Sequence, residues 1–179
     1  MSEADLLAQL LVADDLGGYY TPVPAESAKQ LSGSGCLASL GRVPGAVHQV
    51  TTFLEGPYQG QLPIINEQLS ALPSPVVAAD AYRAATAALS ACRAPGFSIH
   101  TTSVPVALQP LSIPALGDEA MAVQGTYSVQ GRTERLTVVV ARDGGTIVVV
   151  LYADAVPVSN VILGDVTSTV RAAVGKAAH

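Results

Sequence analysis

His48, Glu55 and Glu67 are the residues whose types best suit acid–base chemistry. An imidazole that titrates near neutral pH, set beside one or two carboxylates, can move a proton to and from a bound substrate. All three fall in one expected hairpin, but the spacing works against convergence. His48 and Glu55 are an odd number of positions apart, which places them on opposite faces of a regular strand. No catalytic residue is assigned on this basis. The chain also lacks GxSxG, HExxH, P-loop and dinucleotide-binding patterns. Ser32-Gly33-Ser34-Gly35 reads as a flexible segment, because no Lys-Ser/Thr follows to complete a phosphate cradle.

A second set suits binding. Tyr19, Tyr20 and Tyr58 fall in expected loops, where aromatic side chains can rim a ligand site, and with His48 and Glu67 they form the candidate ligand-binding set. The plainer reading of each is an exposed loop tyrosine. Tyr127 and Tyr152 lie in expected strands and read as packing residues with satisfied hydroxyls. Asp80 and Arg83, three apart, read as a surface ion pair on a helix. Asp14-Asp15 offers two carboxylates to a cation, although a solvated helix end explains the pair better.

The Cys36 and Cys92 thiols are too far apart for a CxxC element, and His48, His100 and His179 complete no metal-ligand pattern. No metal or cofactor is expected. Two cysteines are compatible with buried free thiols in a cytosolic protein or with a pair in an exported one.

Composition narrows the partners. The 179 residues are 49% hydrophobic, 13% charged and 4% aromatic, with no Trp, so a sizeable core of Val, Leu, Ile and Ala is expected within one domain, 1–179. The net charge of −5, with nine scattered basic residues, lacks the electrostatic footprint that nucleic acid or an anionic membrane requires. The longest uninterrupted apolar run, Ile147 to Ala153, is far shorter than the ~20 residues that span a bilayer. No basic-then-apolar signal segment opens the chain. Export would therefore need a targeting segment outside this chain, and membrane attachment an anchor outside it.

The elements that must position these groups are legible in part. Ser2 to Asp5 resembles a capping box, Leu6, Leu7, Leu10 and Leu11 follow at helical spacing, and Gly17-Gly18 is expected to end that short helix. Residues 19–35 read as a flexible loop. Val47 to Leu54 and Gln61 to Leu69 read as a hairpin, with Pro63 making the second an edge or bulged strand. Ser74-Pro75 opens the clearest helix, with Val77, Ala81, Ala85, Ala88 and Cys92 on one face and Pro95-Gly96 as its stop. Its small residues would let it approach a sheet closely.

Strands are expected at Phe97 to Val104, Ala120 to Val129, Glu134 to Ala141 and Thr146 to Tyr152. Asp143-Gly144-Gly145 is a strong hairpin turn. The unalternating Val runs of the last two strands call for cover on both faces, or could line an apolar cleft for a lipid-like ligand. A final helix carries Val158, Ile162, Val166, Val170 and Ala173. The sum is an α+β fold: an antiparallel sheet of about five to six strands packed with two long helices and a short N-terminal one.

This order of features resembles the PknH-type extracellular sensor domain of mycobacterial serine/threonine kinases, which related actinobacterial lipoproteins share. The shared features are the Asp5-Leu6-Leu7 helix with Gly18-Tyr19 after it and Cys36 ahead of the first hairpin. The Pro-Ser-Pro helix running to Cys92 and the Ala- and Val-rich meander with its terminal helix complete the match. The resemblance spans nearly the whole chain. It implies an extracytoplasmic, membrane-anchored location, a ligand-holding cleft, and a disulfide between Cys36 and Cys92. The sensor domain of the kinase carries a second cysteine pair that this chain lacks, and no kinase domain is present.

The leading expectation is thus a ligand-binding or sensor-like domain outside the cytoplasm, taking a small-molecule, lipid-like or protein ligand. The alternatives are a small α+β enzyme acting on an apolar substrate and a pure protein-interaction module.

Overall fold

The computed structural model describes residues 1–18, 20–24, 31–56, 63–93, 95–99, 102–129, 131–155 and 161–177. Among the described residues, ten strands form two antiparallel sheets. The larger runs in the order β1 (Thr21–Pro22), β3 (His48–Glu55), β4 (Ile64–Ala71), β10 (Thr146–Ala155), β9 (Arg132–Asp143), β8 (Glu119–Val129) and β7 (Gln109–Leu111). The smaller holds β2 (Leu31–Gly35), β5 (Pro95–Ile99) and β6 (Thr102–Pro105). The α+β class and the antiparallel meander stand as expected, with more strands than the sequence suggested.

The Val runs are covered on both faces. On one face Leu136, Val138, Val140, Ile147, Val149 and Leu151 pack beneath α2 (Pro75–Ser90), the 3-10 helix Cys36–Gly41 and the small sheet. Phe97 of the small sheet meets Tyr127 edge-on, with ring centroids 4.5 Å apart. On the other face Val139, Ala141, Val148, Val150 and Tyr152 lie beneath α1 (Glu3–Ala8) and α3 (Val161–Ala177). Alternation along each strand therefore decides which layer a side chain enters. Among the described residues no helix is long and apolar enough to cross a membrane.

Several local expectations change. The capping box at Ser2 and Asp5 is present, but α1 ends at Ala8; Gly17, in a left-handed conformation, closes a separate 3-10 turn, Ala13–Leu16. Leu6, Leu10 and Leu11 are buried, whereas Leu7 is exposed. The segment expected to be a flexible loop supplies β1 and β2, and the glycines of 32–35 serve a strand. Gly33 has no room for a Cβ, because the backbone carbonyl of Leu37 occupies that space.

The single strand expected over 97–104 is two, β5 and β6, both in the second sheet. β4 lies between β3 and β10 and is no edge strand; Pro63 precedes it, so its missing N–H costs the ladder nothing. Ser74 caps α2 as expected, its hydroxyl accepting from Val77 N–H at 3.3 Å. The buried face of α2 is centred on Ala78, Tyr82 and Leu89, and Val77 has turned outward. Cys92 sits just past the helix end, half-buried. In α3, Val166, Val170 and Ala173 are buried, while Val158 lies outside the described residues.

Candidate functional site

Of the five residues expected to bind ligand, Tyr20, His48 and Glu67 lie among the described residues. Tyr19 and Tyr58 lie outside the described residues. Tyr20 is 8% exposed and packs in the layer of α1 and α3, so it stands in the core and not at a rim. His48 and Glu67 do share that face of the sheet, since Thr52 lies opposite Glu67 and His48 is an even number of positions along β3. They are nonetheless four residues apart along the strand, about 13 Å at the usual rise per residue. Glu55 faces the opposite layer, as its odd spacing predicted.

Glu67 is fully buried on β4. One carboxylate oxygen accepts from Leu11 N–H at 2.7 Å, and the other has no hydrogen-bond partner among the described residues. Burial dominates its ionisation. Opposed by the Leu11 bond and the Lys176 ammonium, and reinforced by Asp15, burial pushes the pKa up to about 7. Above it, Lys176 of α3 donates to Leu10 C=O at 2.6 Å and to Asp15 at 2.7 Å. Asp15 also accepts from Val12 N–H at 2.8 Å. Burial works against the Asp15 carboxylate, but those two bonds hold its pKa below the ordinary value. Asp15 thus pairs with a partly buried lysine, where the sequence suggested a solvated helix end.

An open recess of about 470 Å³ separates α1 from α3 beside Asp5, Gln9 and Lys176. Its charges are already engaged, Asp5 by Ser2 and Lys176 by Asp15.

The other face carries a different kind of recess. An apolar slot of about 140 Å³ lies between α2 and the segment from Ser39 to Pro44, with Leu40, Val43 and Val149 as its buried floor. Ala81 and Ala85 form the α2 side, and exposed Ala84, Ala88 and Arg42 stand at its mouth. The alanines of α2 pack against the sheet as expected, and they also leave this space unfilled. At this volume the slot suits a group of about benzene's size.

Its second wall is held in place. Cys36, at the head of the 3-10 helix, is bonded to Cys92, just past α2, with Cα atoms 5.6 Å apart. Gln68 Nε2 donates to Leu40 C=O at 3.0 Å. Gln49 brackets Arg42: its Nε2 donates to Gly41 C=O at 2.9 Å and its Oε1 accepts from Val43 N–H at 3.3 Å. Among the described residues no carboxylate pairs with Arg42, whereas Asp80 and Arg83 on α2 pair with each other.

Sequence reasoning missed Arg42, Gln49 and Gln68. The signals were present but weak: alanine at 81, 84, 85 and 88 leaves part of a helix surface without bulk, and Asn66, Gln68 and Ser70 alternate with the apolar positions of β4. Two packing expectations also resolve. Tyr152 is buried and is not without a partner, whereas the buried Tyr127 hydroxyl has no partner at hydrogen-bonding geometry among the described residues. Burial, with the Glu134 carboxylate nearby, keeps Tyr127 protonated.

No protein-family model and no curated protein matches the chain. Among solved structures, the extracellular domain of PknH from Mycobacterium tuberculosis matches with a TM-score of 0.68 at 12% identity, covering 98% of this chain and 97% of that one. LpqN, involved in cell envelope biogenesis of Mycobacterium tuberculosis, matches at 18% identity over 90% of this chain and 94% of that one. Its TM-score of 0.36 is too low to bear on the fold. The first likeness shows a shared fold, and fold by itself does not transmit function.

Proposed function

We propose that this chain is an extracytoplasmic, sensor-like ligand-binding domain whose ligand enters the slot between α2 and the Ser39–Pro44 segment. The observation that carries the reading is the slot itself, an unfilled apolar recess whose two walls are joined by the Cys36–Cys92 disulfide. A cross-linked recess is pre-organised: its shape need not be assembled when ligand arrives, which lowers the entropic cost of binding. The disulfide supports a location outside the reducing cytoplasm, and so does a fold shared with an extracellular domain. An anchor at the cell surface fits that location.

Binding suits the slot better than turnover does. It offers an apolar floor and one cation, while the carboxylate best tuned for proton transfer, Glu67, lies across the sheet. The test is a titration of the oxidised protein with indole or 1-hexanol, followed by amide chemical shifts and melting temperature. Saturable shifts at Val43, Ala85 and Val149 with a raised melting temperature are expected. They should be lost in Ala85→Phe, which fills the slot, and weakened in the milder Ala88→Leu. Shifts centred elsewhere, or none at all in a folded protein, would remove the slot as the ligand site.

A further inference from the structure

Resting on the slot as the ligand site, we propose that its ligand is a monomeric anionic amphiphile. A small apolar end sits on Val149 between α2 and the 3-10 wall, and a carboxylate-type head pairs with Arg42.

Three observations meet here. The slot's volume, about 140 Å³, admits roughly one ring or a short run of methylenes, so most of a longer ligand must remain outside. The groups that such a ligand passes on leaving are alanines 84 and 88 on α2 and Arg42 opposite. An apolar interior with one cation at its mouth is complementary to a molecule with an apolar end and one negative charge.

Arg42 is also placed more firmly than an ordinary surface arginine. The Gln49 amide ties the peptide groups on both sides of it to β3, and Ser70 Oγ in turn donates to Gln49 Oε1 at 3.4 Å. The guanidinium therefore extends from a fixed backbone, and its planar fork matches a carboxylate. The only carboxylate of α2, Asp80, is neutralised by Arg83, so the helix wall does not repel an anion.

The overall charge sharpens the point. A molecule of net charge −5 repels anions at long range, so an anion that does bind is selected by a local contact and held by its apolar end.

The test compares ligands sharing one tail. Octanoate and octyl glucoside, both kept below micelle-forming concentrations, are titrated into the full oxidised chain and into Arg42→Gln, with the slot amides as readout. The structure predicts that octanoate binds at least tenfold more tightly than octyl glucoside, and that Arg42→Gln weakens octanoate about tenfold while leaving the glucoside unchanged. Equal binding of both ligands at the slot, insensitive to Arg42→Gln, would overturn the anionic assignment and leave the slot reading standing. Failure of both tails to perturb the slot would overturn the two together. An acetylated tripeptide ending in leucine carries the same carboxylate and apolar group on a polypeptide. If it bound more tightly than octanoate, the partner would be a protein C-terminus and the amphiphile would be rejected.

Discussion

Glu67, on the interior strand β4, accepts a 2.7 Å hydrogen bond from the backbone N–H of Leu11, in the connector between α1 and the following 3-10 turn. The bond joins the N-terminal segment to β4, and Lys176 closes over the same connector from α3. A carboxylate was needed here only as an acceptor, yet burying one makes its charge expensive. The pKa near 7 follows from burial outweighing the Leu11 bond and the Lys176 charge.

The sign of the resulting pH dependence is fixed. The ordinary pKa is 4.5 and the folded value about 7, so between the two the folded chain keeps a proton that the unfolded chain has lost. Stability contributed by this proton is fully present below pH 4.5 and is lost as pH rises through 7, a change on the order of 3 kcal/mol. Asp15, with a depressed pKa, works in the other direction and only in more acidic solution. Urea unfolding at pH 5 and pH 8 should show the wild type losing stability and Glu67→Gln, which still accepts from Leu11, losing much less. Equal losses in the two proteins would rule out Glu67 as the source.

The slot's wall makes a second prediction. Gln68 is buried and donates to Leu40 C=O. Gln68→Ala leaves that carbonyl without its donor and should cost about 1–3 kcal/mol. Because the bond holds the 3-10 helix against β4, amide exchange of residues 36–43 should accelerate more than exchange in β9 and β10. Uniform acceleration would mean that the residue supports global stability and nothing local.

Glycine at 33 is required for space. A Cβ there collides with the Leu37 carbonyl, so Gly33→Ala should destabilise by about 1–3 kcal/mol through forced backbone movement. Gly41→Ala is the control, since nothing lies within 4 Å of the added atom. A change at Gly33 no larger than at Gly41 would show that the β2 backbone yields easily.

Gly33 also marks where the sequence stopped being legible. Ser-Gly-Ser-Gly has the composition of a linker, and composition reports backbone freedom in an isolated chain. It says nothing of a carbonyl four residues on, that of Leu37, which presses against the strand. The β8–β10 meander was readable because its turn glycines and Val runs are local signals, and two-sided burial follows from the runs alone. The rotation of α2 was not, because alanine is nearly neutral between core and solvent: Val77, the most apolar candidate, faces outward, while Tyr82 and Leu89 define the buried side. Glu67 was singled out for chemistry and proved to be buried; Arg42 was passed over, because its interest lies in residues from α2 and β3 that sequence does not place beside it.

The last prediction concerns the disulfide, which ties both walls of the slot. The bond spans 56 residues, and in the chain-entropy model its loss costs about 4 kcal/mol by freeing the unfolded ensemble. Reductant should therefore lower the urea midpoint of the wild type markedly and leave a Cys36→Ala/Cys92→Ala variant unchanged. The native state should respond as well. With Cys36 free of Cys92, the wall keeps its core packing and the Gln49 and Gln68 bonds but loses its covalent tie to the end of α2, and the affinity of the oxidised protein for octanoate should fall on reduction under conditions where the chain stays folded. Unchanged affinity with reduced stability would confine the bond's role to the unfolded chain; unchanged stability would mean that the two thiols are not paired.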